Sequence, residues 1–167
     1  MICPSKMKKI LYLHGLESKQ GGKKVDFLAS EGAVFAPQVD YKREDFQDWI
    51  TNIVETFKPD LVIGSSMGGY VADILSKTFD LPAILFNPAI HSRKFDPNIN
   101  EWELTFDIKT INRRVVVLGM NDDVVNPQLT KIMLENNWYY TIEEGEHAHQ
   151  TPLNIFIDTF NKYKNEL

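Results

Sequence analysis

Six short apolar runs, rich in β-branched or aromatic residues, recur along the chain: Ile10–Leu13, Ala33–Ala36, Leu61–Ile63, Ala83–Phe86, Val115–Leu118 and Trp138–Ile142. Most of them do not alternate with polar residues. A strand that is apolar on both sides must be covered on both faces, which is the condition inside a parallel sheet flanked by helices. The segments between the runs supply those helices. Phe46, Trp49, Ile50, Ile53, Val54 and Phe57 keep one apolar stripe along a helix, and Pro59 stops it. Leu153, Phe156, Ile157 and Phe160 repeat that spacing behind Thr151 as N-cap and Pro152 as first helical residue. Asn126 and Pro127 open a helix carrying Leu129, Ile132 and Met133, and a weaker helix from about Gly22 to Ser30 ends at Gly32.

The alternation predicts an α/β fold, a three-layer, doubly wound, mainly parallel six-stranded sheet with right-handed crossovers. At 167 residues the chain is expected to form a single domain, residues 1–167, with a short irregular cap-like insert at about 90–114. Ten Phe, six Tyr and three Trp supply its core. Lys+Arg 18 against Asp+Glu 23 leaves a net charge of −5, which argues against nucleic acid or an anionic membrane as partner. Cys3, the single cysteine, can form neither an internal disulfide nor a four-cysteine zinc site. The opening residues lack the apolar stretch of a secretory leader, and no apolar run reaches the ~20 residues of a membrane span. A cytoplasmic protein is expected.

In an open α/β sheet, function collects where the strands end. After the third apolar run stands Gly64-Ser65-Ser66-Met67-Gly68, a G-x-S-x-G pattern between a strand and a helix. Such a turn presents Ser66 as a nucleophile in a strained backbone, with Gly64 and Gly68 giving the turn room to close. Serine needs a base held by an acid, in the chain order Ser, Asp, His. Asp122 and Asp123 follow the fifth run, and His147 and His149 follow the sixth. Asp122 is preferred as the acid. His147 is preferred as the base because it is nearer the strand end and follows Gly145, which leaves His149 a structural place beside the last helix. Backbone N–H groups of Leu16 and Met67 are the expected oxyanion donors. His14 is expected to brace its loop.

Other chemistries fit less well. Gly15…Gly21-Gly22-Lys23-Lys24 follows a strand, but the glycine spacing and Lys24 break the phosphate-loop pattern. His147 and His149 with Asp122, Asp123 and Glu146 have the residue types of a metal cluster without a recognised metal-binding helix, so no metal is expected. A non-catalytic binding protein on the same fold is the alternative reading.

These stretches together, Ile10–Gly15, Lys58–Tyr70, Phe86–Ile90 and Gly145–Ala148, resemble the α/β-hydrolase superfamily. More narrowly they resemble small, nearly lidless bacterial esterases of the YqiA-like group. The resemblance implies a minimal α/β-hydrolase fold with little or no lid. It implies Ser66 as nucleophile, Asp122 as acid and His147 as base, with esterase activity on short acyl esters and no cofactor. The activity expected is that of a carboxylesterase-like serine hydrolase acting on a small-molecule ester or thioester. Phe95, Trp102 and Phe106 in the insert are the expected pocket walls.

Overall fold

A computed structural model describes residues 7–100, 114–137 and 139–167. Its elements run β1 (Lys9–Leu13), α1 (Lys23–Glu31), β2 (Ala33–Phe35), α2 (Phe46–Phe57), β3 (Leu61–Ser65), α3 (Met67–Phe79) and β4 (Ala83–Phe86). Then follow β5 (Arg114–Gly119), α4 (Pro127–Leu134), β6 (Tyr140–Gly145) and α5 (Leu153–Tyr163). The six strands form one sheet in the order β2-β1-β3-β4-β5-β6, and every pairing is parallel.

The non-alternating strands are explained by two cores. Leu11, Leu13, Val62, Leu85, Val116 and Leu118 pack with α2, α3 and α4 on one face. The intervening Ile10, Tyr12, Leu61, Ile63, Ile84, Val115 and Val117 pack with α1 and α5 on the other. Successive strand side chains point to opposite faces, so both sets must be apolar. Each large aliphatic or aromatic side chain buried in this way contributes about 1.5–3 kcal/mol. On the α5 side, Phe156 stacks on Phe86 at 4.8 Å and meets Tyr12 edge-on at 6.1 Å.

The chain leaves β1 toward β2 on one side and resumes with β3 on the other. The reversal opens a crevice beyond the C-terminal ends of β1 and β3. Among the described elements, the stretch from Phe86 to Arg114 is the longest between strands that are consecutive in the chain and paired in the sheet.

Two expectations need correction at the edges. The last strand begins at Tyr140 and runs on to Gly145, and Trp138 lies outside the described residues. The last helix begins at Leu153, with Pro152 in the N-cap place and no side-chain cap. Thr151 is therefore not the cap, and its hydroxyl turns inward instead. Asn126 does cap α4, accepting from Gln128 N–H at 3.0 Å and Leu129 N–H at 3.3 Å. Among the described residues no helix is long and apolar enough to cross a membrane.

Candidate active site

Ser66 joins β3 to α3 with φ 55° and ψ −117°, a backbone region that side chains other than glycine avoid. Holding it there costs about 1–3 kcal/mol, and the surroundings must enforce it. They do so through the backbone: Ser66 N–H donates to the Phe86 carbonyl at 3.0 Å, and Ala89 N–H donates to the Ser66 carbonyl at 3.0 Å. The flanking glycines are needed for close approach. A Cβ at Gly64 would lie 2.1 Å from the Gly68 carbonyl oxygen, and one at Gly68 would lie 2.2 Å from that of Leu13.

Ser66 Oγ lies 3.0 Å from His149 Nε2, and His149 Nδ1 lies 2.8 Å from Asp122 Oδ2. Asp122 is buried, and its other oxygen accepts from Val124 N–H at 2.8 Å and Val125 N–H at 3.0 Å. With the carboxylate so fixed, His149 carries its proton on Nδ1 and turns a lone pair toward the serine. Asp123 is exposed. The expected choice of Asp122 over its neighbour agrees with this geometry.

The expected choice of His147 does not. Its ring is buried away from Ser66, with Nε2 3.5 Å from Thr151 Oγ1 and Nδ1 without a hydrogen-bond partner. Glycines admit it there. A Cβ at Gly145 would lie 2.6 Å from His147 Nδ1, and one at Gly119 would lie 2.7 Å from its Cδ2. Gly145 does turn the loop inward, but into the packing beneath the site. The chain needs two more residues to bring an imidazole out to the serine. Burial pushes the His147 pKa down, against the pull of Asp122 and with a further push from Lys24.

Asn87 holds these parts together, and sequence reasoning missed it. It is buried, with φ 43°. Its Nδ2 donates to the His149 carbonyl at 2.7 Å and to Thr151 Oγ1 at 3.3 Å, while its Oδ1 accepts from Gly119 N–H at 2.6 Å. One side chain thus ties the end of β5, which carries the acid, to the loop that carries the imidazole. The signals available were a polar residue directly after an apolar strand and the place of Asn87-Pro88-Ala89 within the Phe86–Ile90 stretch that carries the resemblance.

The turn after β1 completes the site. His14 Nδ1–H donates to the Gly15 carbonyl at 2.7 Å, and His14 Nε2 accepts from Val39 N–H at 2.9 Å. Both ring nitrogens are thereby used in bracing the loop. Gly15 runs against Ser66, since a Cβ on it would lie 3.5 Å from Ser66 Cβ. Leu16 and Met67 border the same cavity as Ser66 and His149, a space of about 1020 Å³. Met67 opens α3, so its N–H has no helical partner and is free to serve an anion.

Phe95 borders a neighbouring cavity of about 930 Å³ instead. Its ring packs toward the α2 face of the core and lies under Lys42 at 5.3 Å, and from this stretch it is Ala89, Ser92, Arg93 and Lys94 that border the Ser66 cavity. Trp102 and Phe106 lie outside the described residues. Among the described residues no three His, Cys, Asp or Glu side chains gather in a metal-holding arrangement.

Residues 9–106 match the uncharacterised protein family UPF0227. The chain is similar to UPF0227 protein YcfP of Escherichia coli O9:H4 (strain HS), 23% identical over 162 residues, covering 84% of this chain and 89% of that one. Among solved structures it is similar to the monoacylglycerol lipase of Paleococcus ferrophilus, with TM-score 0.70, 16% identity and 95% of each chain covered. It is also similar to MGS-MChE2, an alpha/beta hydrolase enzyme from the metagenome of sediments of the lagoon of Mar Chica, Morocco. There the TM-score is 0.67 at 14% identity, covering 96% of this chain and 92% of that one. The architecture is that of a minimal α/β-hydrolase.

Proposed function

This chain belongs to the uncharacterised protein family UPF0227, and on that premise we propose that it is a serine hydrolase of short-chain carboxylic esters or thioesters. One observation carries the reading. A serine held in a strained turn points its hydroxyl at an imidazole whose far nitrogen is fixed by a buried carboxylate.

His149 Nε2 takes the Ser66 proton as Oγ attacks the acyl carbonyl, and Asp122 keeps the imidazole in the required tautomer and offsets the imidazolium charge. The N–H groups of Leu16 and Met67 receive the developing oxyanion. The acyl–oxygen or acyl–sulfur bond then breaks, His149 protonates the leaving group, and water, activated by the same imidazole, releases the acid and restores Ser66. Acyl groups are short in this reading because the Ser66 cavity is open and many polar and charged residues stand among those that border it.

A fluorophosphonate probe with mass mapping tests the assignment. The expected result is one adduct on Ser66, lost in Ser66→Ala, together with hydrolysis of 4-nitrophenyl acetate that outpaces the long-chain esters. Failure of the folded protein to label, with no Ser66-dependent turnover of any ester, would overturn it in favour of a non-catalytic binding module.

A further inference from the structure

Three lysines border the Ser66 cavity with no acidic partner among the described residues. Lys19 stands in the loop after β1, and Lys23 and Lys24 are the first two residues of α1. The other cations on the rim are matched, Arg93 with Asp96 at 2.8 Å and Lys94 with Glu17 at 2.8 Å. Asp123, the remaining acid of the lining, stands exposed in the loop after β5. Among the described residues no ion pair or side-chain hydrogen bond engages any of the three lysines.

Two of them stand where a helix tolerates cations least. The N-terminal end of the helix dipole favours acids, and Gly22 offers no side chain to cap it. A chain with net charge −5 has placed three cations without an ion-pair partner among the described residues on the lining of the cavity that also holds the strained serine. Local preferences broken without a compensating anion mark candidate functional positions. Lys24 is the most constrained of the three. It is half-buried, its Nζ lies 5.6 Å from the Phe156 ring centre, and burial lowers its pKa. A partly desolvated ammonium with an aromatic neighbour and no anion has an unmet need for counter-charge.

We propose that this lining selects anionic esters, substrates whose acyl or alcohol portion carries a carboxylate or a phosphate that Lys24 holds with help from Lys19 and Lys23. The inference rests on the hydrolase reading above and names its substrate class. Lysine suits the task as a mobile point charge that meets an anionic oxygen without demanding one geometry. The bond changes at Ser66 are unaltered, and the lysines touch only the distant charge.

Matched ester pairs test it. The acetate esters of 4-hydroxybenzoate and of 4-hydroxyphenyl phosphate are compared with that of methyl 4-hydroxybenzoate, for charge on the alcohol side. Mono-4-nitrophenyl glutarate is compared with 4-nitrophenyl pentanoate, for charge on the acyl side. The anionic-to-neutral ratio of kcat/KM is measured in the wild type, Lys24→Met and Lys24→Arg, so that the intrinsic reactivity of each ester cancels between variants. The expected result is a ratio about tenfold lower in Lys24→Met and retained in Lys24→Arg, for at least one pair. In the wild type that preference should also shrink several-fold between about 20 mM and about 500 mM NaCl. The pair that responds assigns the charge to carboxylate or phosphate and to one side of the ester. Ratios that differ by less than twofold on every pair, with no salt dependence, overturn the inference. If neutral esters are then still cleaved through Ser66, the hydrolase reading survives alone; if no ester is cleaved through Ser66, both fall.

Discussion

Replacing Asn87 with Gly tests whether a single buried amide holds the two halves of the site together. Glycine accepts the φ of 43° without strain, so the change isolates the side chain from the backbone. The loss removes the acceptor of Gly119 N–H at 2.6 Å and the donor to the His149 carbonyl at 2.7 Å. The Gly119 bond is buried and the His149 carbonyl partly so, and a buried group left without a partner costs about 1–3 kcal/mol. With one group fully and one partly stranded, the expected destabilisation is about 2–4 kcal/mol, including the extra chain freedom of glycine. The His149 loop also loses its tether, and a catalytic group displaced by about 1 Å can lose about 100-fold in rate. Urea titration should show the midpoint falling at constant slope. Steady-state hydrolysis, measured where the variant is fully folded, should show kcat falling more than KM changes. A variant within about 0.5 kcal/mol of wild type and within twofold in kcat would refute the reasoning.

Three further outcomes follow from the histidines. His149→Ala should lower kcat by about 10³–10⁶-fold with little change in stability, because its ring is partly exposed and the proposed mechanism makes it the base. His147→Ala should instead cost about 1–3 kcal/mol of stability and less than tenfold in kcat, and the reverse pattern would restore His147 as the base. The buried His147 ring also makes stability depend on pH. Its folded pKa lies below the ordinary imidazole value, so the unfolded chain binds the proton first on acidification. The stabilisation is complete above about pH 6.5 and declines as pH drops through that value toward the folded pKa. Urea midpoints measured from pH 7.5 down to 5 should fall for the wild type and fall less for His147→Phe; identical slopes would remove His147 as the cause.

The sheet was legible because burial on two faces leaves a direct mark on composition: a strand with an exposed face would have shown polar residues at every second position, and most of the six runs do not. Ser66 was legible because its neighbours Gly64 and Gly68 are sterically compelled. Asp122 was separable from Asp123 only weakly, since the turn in which it accepts from Val124 and Val125 N–H is set by the local chain path. The imidazole was misjudged because adjacent-but-one residues of a loop point to different places. The cavity that takes the His147 ring is made by two glycines from different strands, a fact of tertiary structure that no spacing rule contains. Asn87 was given no role, and Lys23 and Lys24 were weighed only as a phosphate loop that the spacing excludes, for a related reason. Their significance comes from partners, or missing partners, contributed by segments far away in the chain.

The Phe86–Arg114 connection joins strands that already lie side by side in register, with Ala83 opposite Arg114 and Phe86 opposite Val117. Lengthening or exchanging such a bridge changes its closure entropy only logarithmically. Ser66, Asp122 and His149 lie outside it, and within it Asn87 and Ala89 are the residues that brace them. With Asn87 and Ala89 kept, the rest of this bridge is open to rewriting by evolution or engineering, so that new substrate preferences can be grafted onto unchanged chemistry.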